Sequence, residues 1–405
     1  MNGPSVPALP AQRPVRGTSE YLRNLNRSAV LAAIWKQPGL SRTEIAEHLG
    51  LSKSTVSTAV SELVGRQLVK DAQGRTGHKV GRPSRPLELD LERNAVLGWE
   101  LGVGLVQLRV MNLAGQVMAS RQTDAAGLGP AETLELLGEL SEEALAETGW
   151  PVLRGLGLAV PGLVSPSDGQ LQLAPNLDWS GVPLGVLLLA EAKRFLPRSG
   201  DEGFPAVLDN EANAGAAALL DWPQARARNL AYLSLDIGLG AGLILNHRLF
   251  TGGRGYAGEA GHLCIEPTGQ PCHCGKRGCA ETRINLRRWR QASGDRNRLA
   301  EEMGGDLGLL LSHLANLLDL DSIVLGGRLL EEAGGAFLEA SRESLATHTL
   351  RGVQAHLQLL VSPYGQATSV IGAGALAAQV FFSQPRPEGS LEEWTSFTAW
   401  LRPAG

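Results

Sequence analysis

Apolar positions recur at helical spacing from Tyr21 to Trp35, with Leu22, Leu25, Ala29, Val30, Ala33 and Ile34 on one face. Gln37-Pro38-Gly39 ends that helix. Ser41 stands three residues before Glu44, the spacing of a capping box, and opens a second helix carrying Ile45, Ala46 and Leu49. Gly50 supplies a tight turn. Ser52 then suits the N-cap of a third helix, Lys53 to Leu63, with Val56, Val60 and Leu63 facing inward. The order is that of a helix-turn-helix, whose second helix enters the major groove of DNA. Its outward positions, with one basic neighbour, are Arg42, Ser52, Lys53, Ser54, Thr55, Ser57 and Thr58. Ser and Thr contact phosphates as readily as bases, so none of them is assigned a base. The bland alternative is a helical hairpin with a Ser/Thr-rich solvent face.

From Gly65 to Pro86 the pattern changes to Leu68-Val69, a Gly-rich turn, and a run that carries Arg66, Lys70, Arg75, Lys79, Arg82 and Arg85 against one acid, Asp71. A short hairpin wing whose Lys79, Arg82 and Arg85 neutralise phosphates or enter the minor groove fits this composition. A solvated basic loop is the alternative. Pro83 and Pro86 begin a linker, and Leu87-Glu88-Leu89 alternates like a closing strand.

Beyond Val96 strands and helices alternate. Leu97, Trp99 and Leu101 lead through glycines 102 and 104 to Val106, Leu108 and Val110, and a turn at Asn112-Leu113-Ala114-Gly115 precedes Val117 and Met118. A helix over Thr133–Glu147, a strand over Gly155–Val160, a second Gly-rich hairpin over Tyr232–Leu245 and a strand over Ile323–Gly327 follow. This predicts an α/β body, and the two similar Gly-rich hairpins suggest two related halves around a cleft. Such turns let backbone N–H groups approach phosphates.

Charge separates the two parts. Residues 1–95 hold 14 Lys+Arg and 8 Asp+Glu, a net of +6; the remainder holds 23 and 33, a net of −10. A basic head on an acidic body points to a polyanion for the head alone. Hydrophobic residues make up 43% of the 405 and charged residues 19%, which excludes a wholly disordered chain. The first 14 residues lack an apolar signal core and no uncharged apolar run approaches a membrane span, so a cytoplasmic protein with no membrane partner is expected. Of four cysteines, Cys272, Cys274 and Cys279 share an eight-residue window, which suits a metal site in a reducing compartment better than a disulfide scaffold. With His262 they make a closed Cys₃His set, the donors preferred by structural zinc; a redox pair is the alternative. In that arrangement His273 points away and Cys264 is a small buried side chain.

Gly258-Glu259-Ala260-Gly261-His262 followed by Cys272-His273-Cys274-Gly275-Lys276-Arg277-Gly278-Cys279-Ala280-Glu281 resembles the ROK family of repressors, open reading frames and kinases. Val160-Pro161-Gly162, Ala174-Pro175-Asn176-Leu177, Asp209-Asn210-Glu211-Ala212-Asn213, Gly238-Leu239-Gly240-Ala241-Gly242 and Ile323 to Gly327 extend the match over about residues 20–382. The likeness is to the family's winged-helix, sugar-responsive repressors of the xylose-repressor and N-acetylglucosamine-repressor type. It implies an actin-like ATPase fold (ribonuclease H-like, duplicated), a zinc knuckle, a sugar in the cleft, and dimers or tetramers. It selects the same four zinc ligands, and as sugar contacts Gly162, Asn176, Asn210, Glu211, Glu259, His262 and Glu281.

Family kinases carry an Asp general base where this chain has Glu211, and a first phosphate loop Asp-x-Gly-Gly-Thr where this chain reads Glu100-Leu101-Gly102-Val103-Gly104. A Gly-Thr is replaced by Asp236-Ile237, and Arg328 follows Gly326-Gly327. A displaced base weakens catalysis steeply, and a carboxylate beside a polyphosphate repels it. All four departures fall on ATP use or proton transfer. The expectation is therefore a repressor of carbohydrate genes that binds an operator and a sugar, without ATP and without a catalytic residue; an active sugar kinase is the alternative. The expected divisions are a disordered start at 1–19, the DNA-binding domain at 20–92, the ROK body at 93–382 and a tail at 383–405.

Overall fold

The computed structural model describes residues 19–72, 85–199, 203–220, 228–383 and 396–401. Residues 1–18 of the expected disordered start, and Lys79 and Arg82 of the expected wing, lie outside the described residues, while Ser19 opens a helix. The described chain falls into two compact units, one of residues up to Leu89 together with the segment from Phe382, the other of Asp90–Phe381 together with residues 396–401.

The first unit is three helices and a small sheet: α1 (Ser19–Lys36), α2 (Arg42–Leu49), α3 (Lys53–Gly65), β1 (Val69–Asp71) and β2 (Leu87–Leu89). The capping box at α2 is complete, with Ser41 Oγ accepting from Glu44 N–H and the Glu44 carboxylate accepting from Ser41 N–H. Gly50 closes α2 in the left-handed conformation at φ 64°. Val30, Ile34, Ile45, Val56, Val60 and Leu63 are buried together with Leu68 and Leu87. β1 and β2 pair antiparallel, Val69 opposite Leu89, and Gly39 and Leu40 add backbone bonds to Leu87. This is the helix-turn-helix with the base of a wing.

The second unit is built from a duplicated sheet. Its first lobe contains β3 (Asn94–Gly102), β4 (Leu105–Asn112), β5 (Val117–Asp124), α4 (Pro130–Glu147), β6 (Val152–Val160), a small sheet of β7 (Leu163–Val164), β8 (Leu171–Ala174) and β9 (Trp179–Val182), α5 (Leu184–Ala192), β10 (Phe204–Asn210) and α6 (Glu211–Ala218). The second contains β11 (Leu230–Leu235), β12 (Leu239–Leu245), β13 (Arg248–Phe250), α7 (Ala280–Arg283), α8 (Leu286–Gln291), α9 (Arg296–Leu318), β14 (Ser322–Gly326), α10 (Arg328–His348), α11 (Arg351–Gln354) and β15 (Gln358–Val361); α12 (Thr368–Phe382) follows. In both lobes an antiparallel three-strand meander continues into two parallel strands, ordered β5-β4-β3-β6-β10 and β13-β12-β11-β14-β15. The likeness of the two Gly-rich hairpins is thus a likeness of whole lobes.

Each lobe has its own core. Trp99, Leu158, Phe195 and Phe204 lie in the first, where the buried Trp99 indole donates to Ser141 Oγ at 2.8 Å; Met303, Leu307, Leu325 and Phe337 lie in the second. α6 and α12 pack through glycines. A Cβ at Gly157 would stand 1.8 Å from Ala373 O, at Gly372 1.7 Å from Ala214 O, and at Gly242 2.0 Å from Ala212 O. The Ala/Gly-rich sequence of α6, Glu-Ala-Asn-Ala-Gly-Ala-Ala-Ala, follows from having backbone pressed against it from two sides.

One expectation changes here. Residues 397–401, assigned to a tail, form β16 (Phe397–Leu401), which adds antiparallel to the free edge of β10. β10 would otherwise leave a row of unpaired backbone groups, and the terminal segment satisfies them. The stretch Gly365–Phe382 is apolar enough in length and composition to cross a membrane, and 67% of it is buried inside the fold.

Candidate functional site

Two connected cavities in the second unit hold the candidate residues. The larger, about 360 Å³, is lined by Gly162, Asn176, Asn210, Glu211, Glu259, His262 and Glu281, with Tyr256, His273 and Lys276. The smaller, about 60 Å³, is lined by Glu100, Gly102, Gln107, Asp236, Gly238 and Arg328 and shares Pro161, Asn176, Glu211 and Gly238 with the first. All seven expected sugar contacts therefore converge.

Local structure explains how each is held. Asn210 ends β10 and caps α6, its Oδ1 accepting from Ala212 N–H at 2.8 Å while Nδ2 donates to Gly162 O at 3.0 Å. One amide hydrogen and one lone pair remain for a ligand. Glu211 opens α6 at the acid-favouring end, and its Oε2 is buried without a hydrogen-bond partner. Glu281 sits in the first turn of α7 and accepts from Leu239 N–H at 3.1 Å. Gly258, at φ 93°, takes the backbone tightly past β12 and delivers Glu259 and His262.

Burial and the nearby Asp236 push the Glu100 carboxyl up to about 8, and burial with Glu100 nearby does the same to Glu211. Burial and Glu281 raise Glu259. Both carboxyls line the smaller cavity, Glu211 also the larger, and each disfavours its charged form there. Polyphosphate meets an obstacle. Arg328 grips Asp236 with two bonds, Nε at 2.8 Å and Nη2 at 2.6 Å, inside the smaller cavity.

The metal candidates are also brought together. The ligand atoms of His262, Cys272, Cys274 and Cys279 all lie within 4.8 Å of one another. Cys274 Sγ and Cys279 Sγ are 3.6 Å apart, and His262 Nδ1 lies 3.7 Å from Cys272 Sγ. A tetrahedral zinc with Zn–S of 2.3 Å requires sulfurs about 3.8 Å apart, whereas a disulfide requires about 2.0 Å. The donors fit zinc. His262 would bind through Nδ1, leaving Nε2 toward the cavity, 3.8 Å from Glu259 Oε2.

Two details of the knuckle depart from expectation. His273 does not point away: the turn closed by Gly275 N–H to Cys272 O, 3.0 Å, breaks the alternation of side chains. Its Nδ1 lies 3.4 Å from Glu281 Oε1 and the ring stands edge-on to His262. Cys264 is exposed, because so small a knuckle offers no apolar shelter beyond its four donors. Sequence reasoning also missed Tyr256, whose hydroxyl donates to Gln172 Oε1 across the mouth, and Gln107, which donates to Glu100 at 2.9 Å. No periodicity marks either one.

In the first unit Ser52, Lys53, Ser54, Ser57 and Thr58 are exposed along α3 and Thr55 is half-buried. Ser52 Oγ caps Thr55 N–H at 3.1 Å and also meets Ser54 Oγ. Arg42 and Arg85 share one carboxylate, each 3.5 Å from Asp71. Exposed pairs of this kind are weak.

A profile described as "ROK family" matches residues 96–380, both lobes with the knuckle and cleft between its limits. The chain belongs to the ROK family. A profile described as "Winged helix-turn-helix DNA-binding" matches residues 23–70 of this ROK protein. It is 28% identical over 410 residues to the xylose repressor of Caldicellulosiruptor bescii, covering 91% of this chain and 99% of that one. Among solved structures it resembles a ROK family transcriptional regulator described as a homolog of the E. coli MLC protein, with TM-score 0.73, 21% identity and coverage of 90% and 97%. It also resembles a ROK glucokinase from Streptomyces griseus, in complex with glucose and AMPPNP, with TM-score 0.58, 22% identity and coverage of 70% and 99%.

Proposed function

We propose that this ROK protein is a cytoplasmic, DNA-binding transcriptional repressor of carbohydrate genes whose operator affinity falls when a sugar fills the larger cavity. The observation that carries the reading is a division inside one cleft. The sugar side keeps Asn176, Asn210, Glu211, Glu259, His262 and Glu281 around about 360 Å³, while the nucleotide side holds a closed Arg328–Asp236 pair in about 60 Å³. Carboxylates and the His262 ring provide acceptors and a donor for vicinal hydroxyls. Zinc on His262, Cys272, Cys274 and Cys279 would fix the His262 tautomer and tie the segment carrying Glu259 to the one carrying Glu281. On the DNA side α3 enters the major groove through Ser52, Lys53, Ser54, Thr55, Ser57 and Thr58, with Arg42, Lys79, Arg82 and Arg85 on phosphates. Two heads of a homodimer would read a palindromic site, as helix-turn-helix repressors do. The relative named a xylose repressor supports the same reading.

The test is operator affinity, measured on a site selected from random duplexes, with D-xylose, D-glucose, N-acetyl-D-glucosamine and D-fructose added in turn. One sugar is expected to weaken binding roughly 5- to 150-fold, the range of ordinary allosteric coupling. Sugar binding with unchanged operator affinity would break the proposed link.

A second reading, an active sugar kinase, has one observation in its favour. Glu211 lines both cavities, its Oε2 is unpartnered, and its carboxyl is pushed up to about 8, close to the operating pH that suits a general base. Mg-ATP is expected neither to change sugar affinity nor to yield a sugar phosphate. Turnover in a product assay would make the kinase reading the correct one.

A further inference from the structure

Among the described residues the first lobe carries a strand that its duplicate does not. β16 lies outside β10, with Leu401 opposite Phe204 and Phe397 opposite Leu208. That register brings the residue before the strand, Ser396, beside Asp209, the residue before Asn210 and Glu211. Both are buried, Ser396 at 6% and Asp209 at 5% exposure.

Asp209 is the hub of this corner. Its Oδ1 accepts from Asn210 N–H at 2.7 Å and from Asn213 Nδ2 at 2.9 Å, so one carboxylate oxygen secures the first turn of α6. Its Oδ2 accepts from the Ser396 hydroxyl. Asn210 in turn reaches Gly162 O, so the bonds run from Ser396 through Asp209 and Asn210 to the wall of the larger cavity. Phe397 fixes where the strand docks. Its ring fills a notch between Gly169 and Gly185, where a Cβ on either glycine would come within 2.9 Å of it. The strand therefore arrives with its aromatic residue seated and its serine aimed.

We infer that β16 is part of the ligand-binding apparatus, with Ser396 acting through Asp209 as a positioning residue for Asn210 and Glu211. The inference rests on the sugar reading for its ligand, but not for its geometry. A buried carboxylate that loses one donor weakens the arrangement built on it. The bond joins Ser396 to Asp209, 187 residues earlier at the end of β10, so β16 tunes the start of α6 and the site beside it.

The test compares the full chain with Ser396→Ala and Ser396→Thr. Amide hydrogen exchange at Asn210 and Ala212 is expected to quicken about tenfold in the alanine variant, and affinity for whichever of D-xylose, D-glucose, N-acetyl-D-glucosamine or D-fructose the wild type binds to fall by about as much. Metal content should stay at the wild-type value, and threonine should restore both readouts. Unchanged exchange in Ser396→Ala overturns the link, as does quickened exchange with unaltered sugar affinity. A merely structural strand would lower the melting temperature of both variants alike, without rescue by threonine. A wild type that takes none of the four sugars overturns the ligand half together with the sugar reading. The exchange result tells that failure apart from failure of the Ser396 link.

Discussion

Cys274→Ser is expected to release the metal and abolish ligand binding in one step. Cys274 is exposed, so the serine leaves no cavity and disturbs no core. What it removes is one of four donors, and a zinc held by His262, Cys272 and Cys279 alone is much weaker. The consequence would reach the cleft because an ion on these donors would join two separate segments. His262 ends the segment that carries Glu259, and Cys279 directly precedes α7, which carries Glu281. Without the ion these are tied by little more than backbone bonds such as Ala280 N–H to Leu263 O at 2.9 Å. Metal analysis should fall from about one zinc per chain to a small fraction of that, and sugar affinity should drop tenfold or more, on the order of a disturbed metal support. Loss of a metal also belongs with the largest single-residue effects on stability, about 4–5 kcal/mol. Wild-type metal content in this variant would sink the four-ligand assignment.

The same quartet explains why so much was readable in advance. Four donors within eighteen residues are a local pattern, and a tetrahedral ion is nearly their only common purpose. The capping box at Ser41, the helix over Lys53–Gly65 and the alternating β3 and β4 are local too. What could not be read rests on pairs far apart in the chain. Arg328 and Asp236 lie 92 residues apart, and their separate departures from the kinase pattern do not announce that they bond to each other. Ser396 carries no pattern at all, and the motif that holds Asp209 does not announce its partner. Arg42 and Arg85 read as free cations, yet the pairing of β1 with β2 brings both to Asp71. His273 was misplaced because the Cys-x-Cys spacing does not show that the turn sets its ring beside Glu281. Composition explains little of the glycine count, whereas packing explains much of it: Gly157, Gly242 and Gly372 each face a backbone carbonyl.

Gly258→Ala is expected to be far more damaging than Gly275→Ala, and the comparison separates the causes. Both glycines have the left-handed backbone, at φ 93° and 86°. A Cβ at Gly275 meets nothing within 4 Å, so that variant bears only the conformational cost, about 1–2 kcal/mol. At Gly258 a Cβ would stand 1.8 Å from Ala241 O, which is backbone and cannot swing aside. Ala241 N–H also donates to Gly258 O at 2.8 Å, so relief requires moving the loop off β12 and losing that bond. Overpacking adds about 1–3 kcal/mol, and the loop that moves carries Glu259 and His262. Gly258→Ala should therefore lower the thermal midpoint further than Gly275→Ala, and should also weaken sugar binding and metal retention together. Equal midpoints for the two variants would mean that the backbone contact at β12 does not set the position of this loop. A fall in stability with wild-type sugar affinity would mean that Glu259 and His262 reach the ligand from a segment that tolerates displacement, against the rigid support argued here.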